Sequence, residues 1–258
     1  MPVYGCIATG IIYGAIGVIA ILSFLKIRHG GADESSLMVI LDDYIIGKII
    51  IWIILLGTIC YIIWRFYETI KDPYDYGKDM KGIAKRCGIA LSTVADILIV
   101  YAAIRVLFGT GNFQRDGQPE EERSLVGNML DQNNGQSLVI GIGVVYFATA
   151  VVQFLYGITR GYKERVDIAR FSSIFRNTIH LLAWAGYAAR GIILGITGFF
   201  FVKAGVTEDA QHIVNTDKAF DFIGDHIGHV YFILVAAATI CYGLFMIAQG
   251  IFYDTDKD

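Results

Sequence analysis

The twenty residues from Ile45 to Trp64, IIGKIIIWIILLGTICYIIW, carry a single charge, Lys48. That length and composition match the ~20 mainly apolar residues an α-helix needs to cross a ~30 Å hydrocarbon core. Within lipid every backbone N–H and C=O must be satisfied inside the structure, so such a run folds as a helix and not as an open strand. Comparable runs predict six transmembrane helices, at 4–27, 45–67, 86–109, 136–159, 179–203 and 228–252. Composition agrees, with 55% of the 258 residues hydrophobic, 17% charged and only 3 Pro, and a mean hydropathy of +0.55. This balance excludes an ordinary soluble domain and predicts an all-α polytopic membrane protein forming one membrane domain over residues 1–258. The first apolar run follows Met1 without a basic n-region or a polar cleavage region, so it reads as a retained helix.

The formal net charge of −3 conceals an alternation between connections. Lys71, Lys78, Lys81, Lys85 and Arg86 lie between the second and third helices, and Arg160, Lys163, Arg165, Arg170 and Arg176 between the fourth and fifth. The other connections are acidic: Asp33, Glu34, Asp42 and Asp43 in the first, Asp116, Glu120, Glu121, Glu122 and Asp131 in the third, Glu208, Asp209, Asp217, Asp221 and Asp225 in the fifth. Lys and Arg in short loops stay cytoplasmic, which predicts a multi-pass protein of the bacterial cytoplasmic (inner) membrane with both termini inside. Lys26 and Arg28 run against this but are outnumbered.

The chain also repeats itself. GCIATGIIYGAIG from Gly5 aligns with GYAARGIILGITG from Gly186, pairing Gly5/Gly186, Gly10/Gly191, Gly14/Gly195 and Gly17/Gly198, with Thr9 standing where Arg190 does. TICY at Thr58–Tyr61 recurs at Thr239–Tyr242 with the same separation, as do Gly47 and Gly228. A weaker middle copy starts at Cys87. The expectation is three tandem helical hairpins, about 4–72, 83–160 and 179–253, arranged as parallel internal repeats around an axis along the membrane normal. Gly10-x-x-x-Gly14 and Gly191-x-x-x-Gly195 place flat patches one turn apart and predict close helix packing. The expected partners are the odd-numbered helices of the same chain, with homo-oligomer contacts as the alternative.

These features resemble a known bacterial family of integral membrane proteins, domain of unknown function 1206. That family is similar in length, in its three two-helix units and in a unit opening like AGYAARGIILGITG, here Ala185 to Gly198. Thr9 replaces the arginine in the first unit, and Lys85-Arg86 precede the middle unit in place of Ala-Arg-Gly. The resemblance implies membrane architecture and carries no biochemical activity with it.

Arg190 and Asp96 interrupt apolar segments. The expected positions put Arg190 a little over one turn inside the cytoplasmic end of the fifth helix and Asp96 near the middle of the third. A charge at the bilayer centre costs about 2.5–3.5 kcal/mol even on permissive scales, so such residues face inward, pair or line a polar path. Three readings of Arg190 are open: snorkelling to phosphates, an ion pair with Asp96, or a shared proton or ion path. His226 and His229 sit at i, i+3 beside Asp225. They are weak metal candidates, because a fixed further ligand is absent; the alternative has Asp225 capping the last helix. The mixed apolar and basic residues from Gly161 to Asn177 suit a short interfacial helix, and Trp52, Trp64, Tyr67, Trp184 and Tyr187 suit interfacial belts. Cys6, Cys60, Cys87 and Cys241 form no metal or disulfide pattern and read as packing residues.

No phosphate-binding glycine loop, nucleophile elbow or H-E-x-x-H motif occurs. The chain therefore reads as non-enzymatic, without a cofactor and without a nucleic-acid partner. Its partners are the lipid bilayer and a membrane protein or a second copy of itself. The polar side chains in the spans look scattered, which favours a scaffold or accessory subunit over the alternative, a small ion or solute transporter or channel with a path past Asp96.

Overall fold

A computed structural model describes residues 2–27, 31–73, 117–164, 166 and 172–253, and, between 73 and 117, positions 77, 79, 82, 83, 86, 89, 90, 93, 97, 100, 101, 104, 105, 107 and 108. The named helices are α1 (Pro2–Phe24), α2 (Glu34–Asp42), α3 (Ile45–Lys71), α4 (Glu120–Leu130), α5 (Gly135–Thr159), α6 (Ser173–Thr207), α7 (Thr216–Phe222) and α8 (His229–Ile251). Five of them, α1, α3, α5, α6 and α8, are long and apolar enough to cross a membrane. The helix expected at 86–109 and its Asp96 and Cys87 lie largely outside the described residues; those that are described from 82 to 107 are helical.

α1, α3, α5 and α8 keep to the apolar runs within a few residues. α6 does not: at 35 residues it is roughly 52 Å long, well beyond a ~30 Å hydrocarbon core. The end of the basic stretch, from Ser173, therefore supplies the first turn of this helix, while residues 165 and 167–171, where a short interfacial helix was expected, lie outside the described residues. Ser172 starts that turn by accepting a hydrogen bond from Phe175 N at 3.3 Å, and Phe175 packs on Phe252 at the end of α8.

α1 packs against both α3 and α8, and α6 against both α5 and α8. Glycines allow these approaches. A Cβ on Gly10 would stand 2.7 Å from Gly243 O of α8, and one on Gly198 would stand 2.9 Å from Gly143 O of α5. With no side chain between them the backbones touch, and dispersion holds helices that lipid gives no other reason to associate. The glycine faces thus meet second helices of hairpins, where the sequence pointed to contacts among first helices. Gly10 faces α8 and Gly191 faces Phe154 of α5; among the described residues a Cβ on Gly195 would meet Ala150, at 3.8 Å, and one on Gly14 would meet nothing within 4 Å.

α1 begins and α8 ends at one end of the bundle, the terminal end. There Arg86 Nε donates to Thr69 O at 2.7 Å and Nη2 to Ile70 O at 3.1 Å, satisfying carbonyls that the C-terminus of α3 leaves open. At the opposite, acidic-loop end, the short helices α2, α4 and α7 form a cap stitched across all three acidic connections. Ala32 N donates to Asp217 Oδ1 at 2.6 Å, Asn215 Nδ2 to Gly117 O at 3.1 Å, and Thr216 Oγ1 to Glu34 Oε2 at 3.0 Å. Gly117 takes φ +74 beside Asp217, a left-handed conformation that a side chain would strain.

Candidate functional site

Arg190 lies seventeen residues after Ser173 and seventeen before Thr207, at the midpoint of α6. Either helix end is therefore roughly 25 Å away. Snorkelling is excluded by that depth and by burial, since Arg190 is 7% exposed. The shallow depth did not follow from the expected bounds either, because 179–203 already places Arg190 eleven residues, about three turns, from its start.

Aromatic rings enclose the guanidinium. Its Cζ lies 4.8 Å from the ring centre of Tyr13 on α1 and 5.1 Å from that of Tyr242 on α8, and Nη1 donates to Tyr242 Oη. Tyr13 and Tyr242 meet edge to face at 5.2 Å. A cation over ring faces gains from their negative quadrupoles, and the gain grows away from water. From Tyr242 the rings continue to Tyr187 at 5.4 Å, then to Tyr162, whose hydroxyl lies 3.1 Å from His180 Nδ1. Tyr187 is thus a buried member of this aromatic column and not part of an interfacial belt.

Arg190, Tyr13 and Tyr242 border a cavity of about 180 Å³. Its walls are mostly apolar, from Ile193, Leu194 and Phe201 of α6 and Leu125 of α4, and Tyr101 and Tyr146 add phenol rings. Two threonines complete them. Thr239 donates to its own helix, at Val235 O, 2.8 Å away. Thr197, 7% exposed, makes no such bond among the described residues, so its hydroxyl is left to the cavity. At the acidic-loop end the lining changes to Glu34, Ser35, Glu121, Glu122, Asn215 and Thr216.

Those carboxylates differ. Glu121 pairs with Arg105 at 2.9 Å. Glu34 and Glu122 form no ion pair among the described residues. Burial raises the Glu122 carboxyl above its usual range, and the charges of Glu34 and Glu121 push the same way. Nearby Asp33, 2% exposed, caps α2 through Ser36 N; burial lifts its carboxyl from 3.8 to about 7.

The histidine set lies apart from this cavity. His226 stacks on Phe222 at 4.6 Å, and His229 meets Phe24 edge-on at 5.4 Å. Asp225 sits in the wide turn Ile223–Ile227, and Gly228, φ +132, takes the capping position of α8 that had been expected for Asp225. Among the described residues no group of three or more His, Cys, Asp and Glu side chains is placed to hold a metal ion. Cys6, Cys60 and Cys241 are free thiols in helices.

The family described as Domain of Unknown Function (DUF1206) matches this chain twice, over residues 4–72 and 185–253, together more than half of its length. The chain belongs to the DUF1206 family. Both ends of the second match are shifted by 181 residues from the first, 4 to 185 and 72 to 253, the shift that carries Gly5 onto Gly186. The DUF1206 chain is also similar to the uncharacterised protein YxxB of Bacillus subtilis (strain 168), 27% identical over 246 residues, which is 93% of this chain and 86% of that one. No solved structure matches. Within this DUF1206 protein the cavity draws on both matched regions, Tyr13 from the first and Arg190, Thr197 and Tyr242 from the second.

The tyrosines are what sequence reasoning missed. A tyrosine in an apolar run reads as core or interface filler, and only contact between α1, α6 and α8 puts Tyr13 and Tyr242 on one arginine. TICY did carry a trace of this: it marks Tyr61 and Tyr242 as equivalent.

Proposed function

We propose that the protein is a small-solute transporter of the bacterial inner membrane that binds its solute in the Arg190 cavity. In this reading the chain has six spans in three parallel hairpins, both termini are cytoplasmic, and the carboxylate end of the cavity faces outward. No catalytic step is assigned to it. The observation that carries the reading is the cavity itself: a concave, mainly apolar space with a few convergent polar groups is the usual form of a small-molecule site. The expectation of a scaffold rested on polar groups scattered through the spans. That tally left out the tyrosines, and Arg190, Thr197, Tyr13 and Tyr242 all border one space. A buried intramembrane arginine marks a functional position by default, because holding it there is expensive.

The test is a thermal-shift screen of small polar solutes against the full chain in mild detergent, run beside Thr197→Leu, which fills the cavity. Compounds that stabilise the wild type and not the variant support the reading, and uptake of those compounds by proteoliposomes then separates transport from binding. If no solute distinguishes the two proteins, the scaffold reading takes its place.

A further inference from the structure

Three consecutive residues clasp the acidic-loop end of the bundle. Ala32 N donates to Asp217 Oδ1 at 2.6 Å, and Glu34 Oε2 accepts from Thr216 Oγ1 at 3.0 Å. Gly31, just before them, lies so close to Gly117 that a Cβ on it would collide with that backbone. Glu34 and Thr216 both line the cavity, so this clasp between the start of α2 and the start of α7 forms part of its mouth. Between the two bonded residues stands Asp33, 2% exposed. Its Oδ2 accepts from Ser36 N at 3.2 Å, and its Oδ1 meets no hydrogen-bond donor among the described residues. Building on the reading of this cavity as a solute site, we propose that Asp33 is a proton-binding site that latches the mouth: the protonated carboxyl holds the clasp shut, and loss of that proton to water at the acidic-loop end opens it to solute.

The clasp gives a charge on Asp33 little to rest on. A buried carboxylate needs donors or a cation, whereas the charged groups that act on Asp33 are Glu34 and Asp217, the same two carboxylates that the clasp uses as acceptors. Like charges at this range disfavour ionisation. The cations on the surrounding elements are directed to other carboxylates: Lys218 of α7 to Asp217 and Asp221, Lys48 of α3 to Asp42 at the end of α2, Arg105 to Glu121 of α4, and Arg123 of α4 to Glu122. Lys26, just past α1, is exposed. Ionising Asp33 therefore sets three carboxylates against one another in one clasp, and parting the clasp relieves them by letting water reach Oδ1. Burial lifts the closed carboxyl from 3.8 to about 7, and hydration on opening returns it toward the lower value. The closed form then binds the proton about a thousandfold more tightly than the open one. The sign follows: closure is favoured most below about pH 4, opening grows about tenfold per pH unit up to about pH 7, and it levels off above that.

The experiment is hydrogen exchange of the purified full chain in mild detergent without solute, read at the Ala32 amide by fragmentation mass spectrometry and corrected at each pH for the intrinsic exchange rate. The expected result is a loss of Ala32 protection of about a hundredfold from pH 5 to pH 8, while amides in the middle of α5 and α8 keep theirs. That contrast separates opening of the mouth from unfolding of the whole chain. Asp33→Asn keeps the helix cap, because Asn serves there as well as Asp, and has no proton to lose; its change should stay under about tenfold, the remainder belonging to Glu122 at the same mouth. Asp217→Asn keeps an oxygen for Ala32 N and removes one repelling charge, so the midpoint of the response should move below about pH 7. A wild-type change under about tenfold would overturn the latch, as would a change of about tenfold or more in Asp33→Asn or a midpoint unmoved by Asp217→Asn. Exchange that behaves as expected while the solute screen finds nothing keeps the proton latch and removes the solute reading; the reverse result overturns the latch alone.

Discussion

The two matched regions, 4–72 and 185–253, share a seam and differ at one position inside it. In the first, a Cβ on Gly5 would stand 2.6 Å from Tyr61 Cγ; in the second, one on Gly186 would stand 2.5 Å from Tyr242 Cα. Each tyrosine carries an arginine over its ring, Arg65 at 4.7 Å from Tyr61 and Arg190 at 5.1 Å from Tyr242. Arg65 comes from the same helix as its tyrosine and stands near the terminal end of α3. Arg190 comes from the other helix of its hairpin and stands in the middle of it. Its counterpart in the first region is Thr9, 1% exposed, with no hydrogen-bond partner for its hydroxyl among the described residues. The glycine–tyrosine seam is therefore architecture that both hairpins need, and the residue four positions after the seam glycine decides which hairpin holds a site.

Exchanging that residue gives the largest expected effect. Thr9→Arg forces a guanidinium into a filled space, where a mid-membrane charge costs about 2.5–3.5 kcal/mol and overpacking about 1–3 kcal/mol more. No folded protein should emerge from size-exclusion chromatography. Arg190→Thr removes a cation from a buried, hydrogen-bonded setting, a loss of about 3–5 kcal/mol, and should abolish every solute-dependent thermal shift. Wild-type yield from Thr9→Arg would mean that the two hairpins are interchangeable at this depth and the comparison fails. Replacing Asp96 by Asn sharpens the same point: if Asp96 forms the ion pair expected for Arg190, Asp96→Asn and Arg190→Ala should lower detergent stability together.

The seam glycines come next. Gly5→Ala and Gly186→Ala should each destabilise by about 1–3 kcal/mol, because each new Cβ would meet atoms fixed to the facing backbone, Tyr61 Cβ on α3 for the first and Tyr242 Cα on α8 for the second. Gly14→Ala is the control. Its Cβ meets nothing within 4 Å among the described residues, so helix propensity should make it neutral or stabilising by up to about 1 kcal/mol. Chemical unfolding of the three variants in one detergent orders them, and a large loss at Gly14 would show that the seam glycines are not special.

A smaller contrast separates the caps of the two regions. Asp33 caps α2 through Ser36 N, and Asn215 caps α7 through Lys218 N; only the first can titrate. Burial raises the Asp33 carboxyl from 3.8 to about 7, so between those values the folded chain holds a proton that the unfolded chain has released. Stability should then be greatest near pH 4, fall as pH rises to about 7 and level off above it. Glu122, also raised by burial, slopes the same way, so Asp33→Asn should reduce the dependence without removing it. An unchanged slope of melting temperature between pH 5 and 8 in the variant would place the titration elsewhere.

How much of this was legible follows from what each feature depends on. The apolar runs of α1, α3, α5 and α8 are local, and lipid permits them one conformation. The match of Gly5 to Gly186 is likewise written in the chain. α6 was read short because Arg176 and its polar neighbours look like loop, although Ser172 can cap a helix there. The depth of Arg190 does not hang on that error, because 179–203 also places it about three turns inside the helix. The cavity was illegible for another reason: Tyr13 and Arg190 are 177 positions apart, and nothing in either run says that α1 and α6 both reach Tyr242. Gly10 and Gly17 announce a close partner without naming it, and it proved to be α8.

The finest distinction between the regions concerns two threonine hydroxyls. Thr9 and Thr197 are both buried, and neither bonds its own helix among the described residues, unlike Thr239 and Thr149. A buried hydroxyl without a partner has lost its hydration for nothing, about 1–3 kcal/mol by mutational measures. Valine has nearly the same shape, so Thr9→Val should leave stability unchanged or raise it by about 1 kcal/mol. Thr197 differs in facing the cavity, where water or solute can meet its oxygen. Thr197→Val should therefore leave unfolding of the empty protein within about 0.5 kcal/mol of wild type while weakening solute binding severalfold. The two variants separate a packing flaw from a binding group: equal behaviour in both the melt and the titration would reduce the cavity to a gap between helices, and a divergence confined to the titration assigns it to the solute.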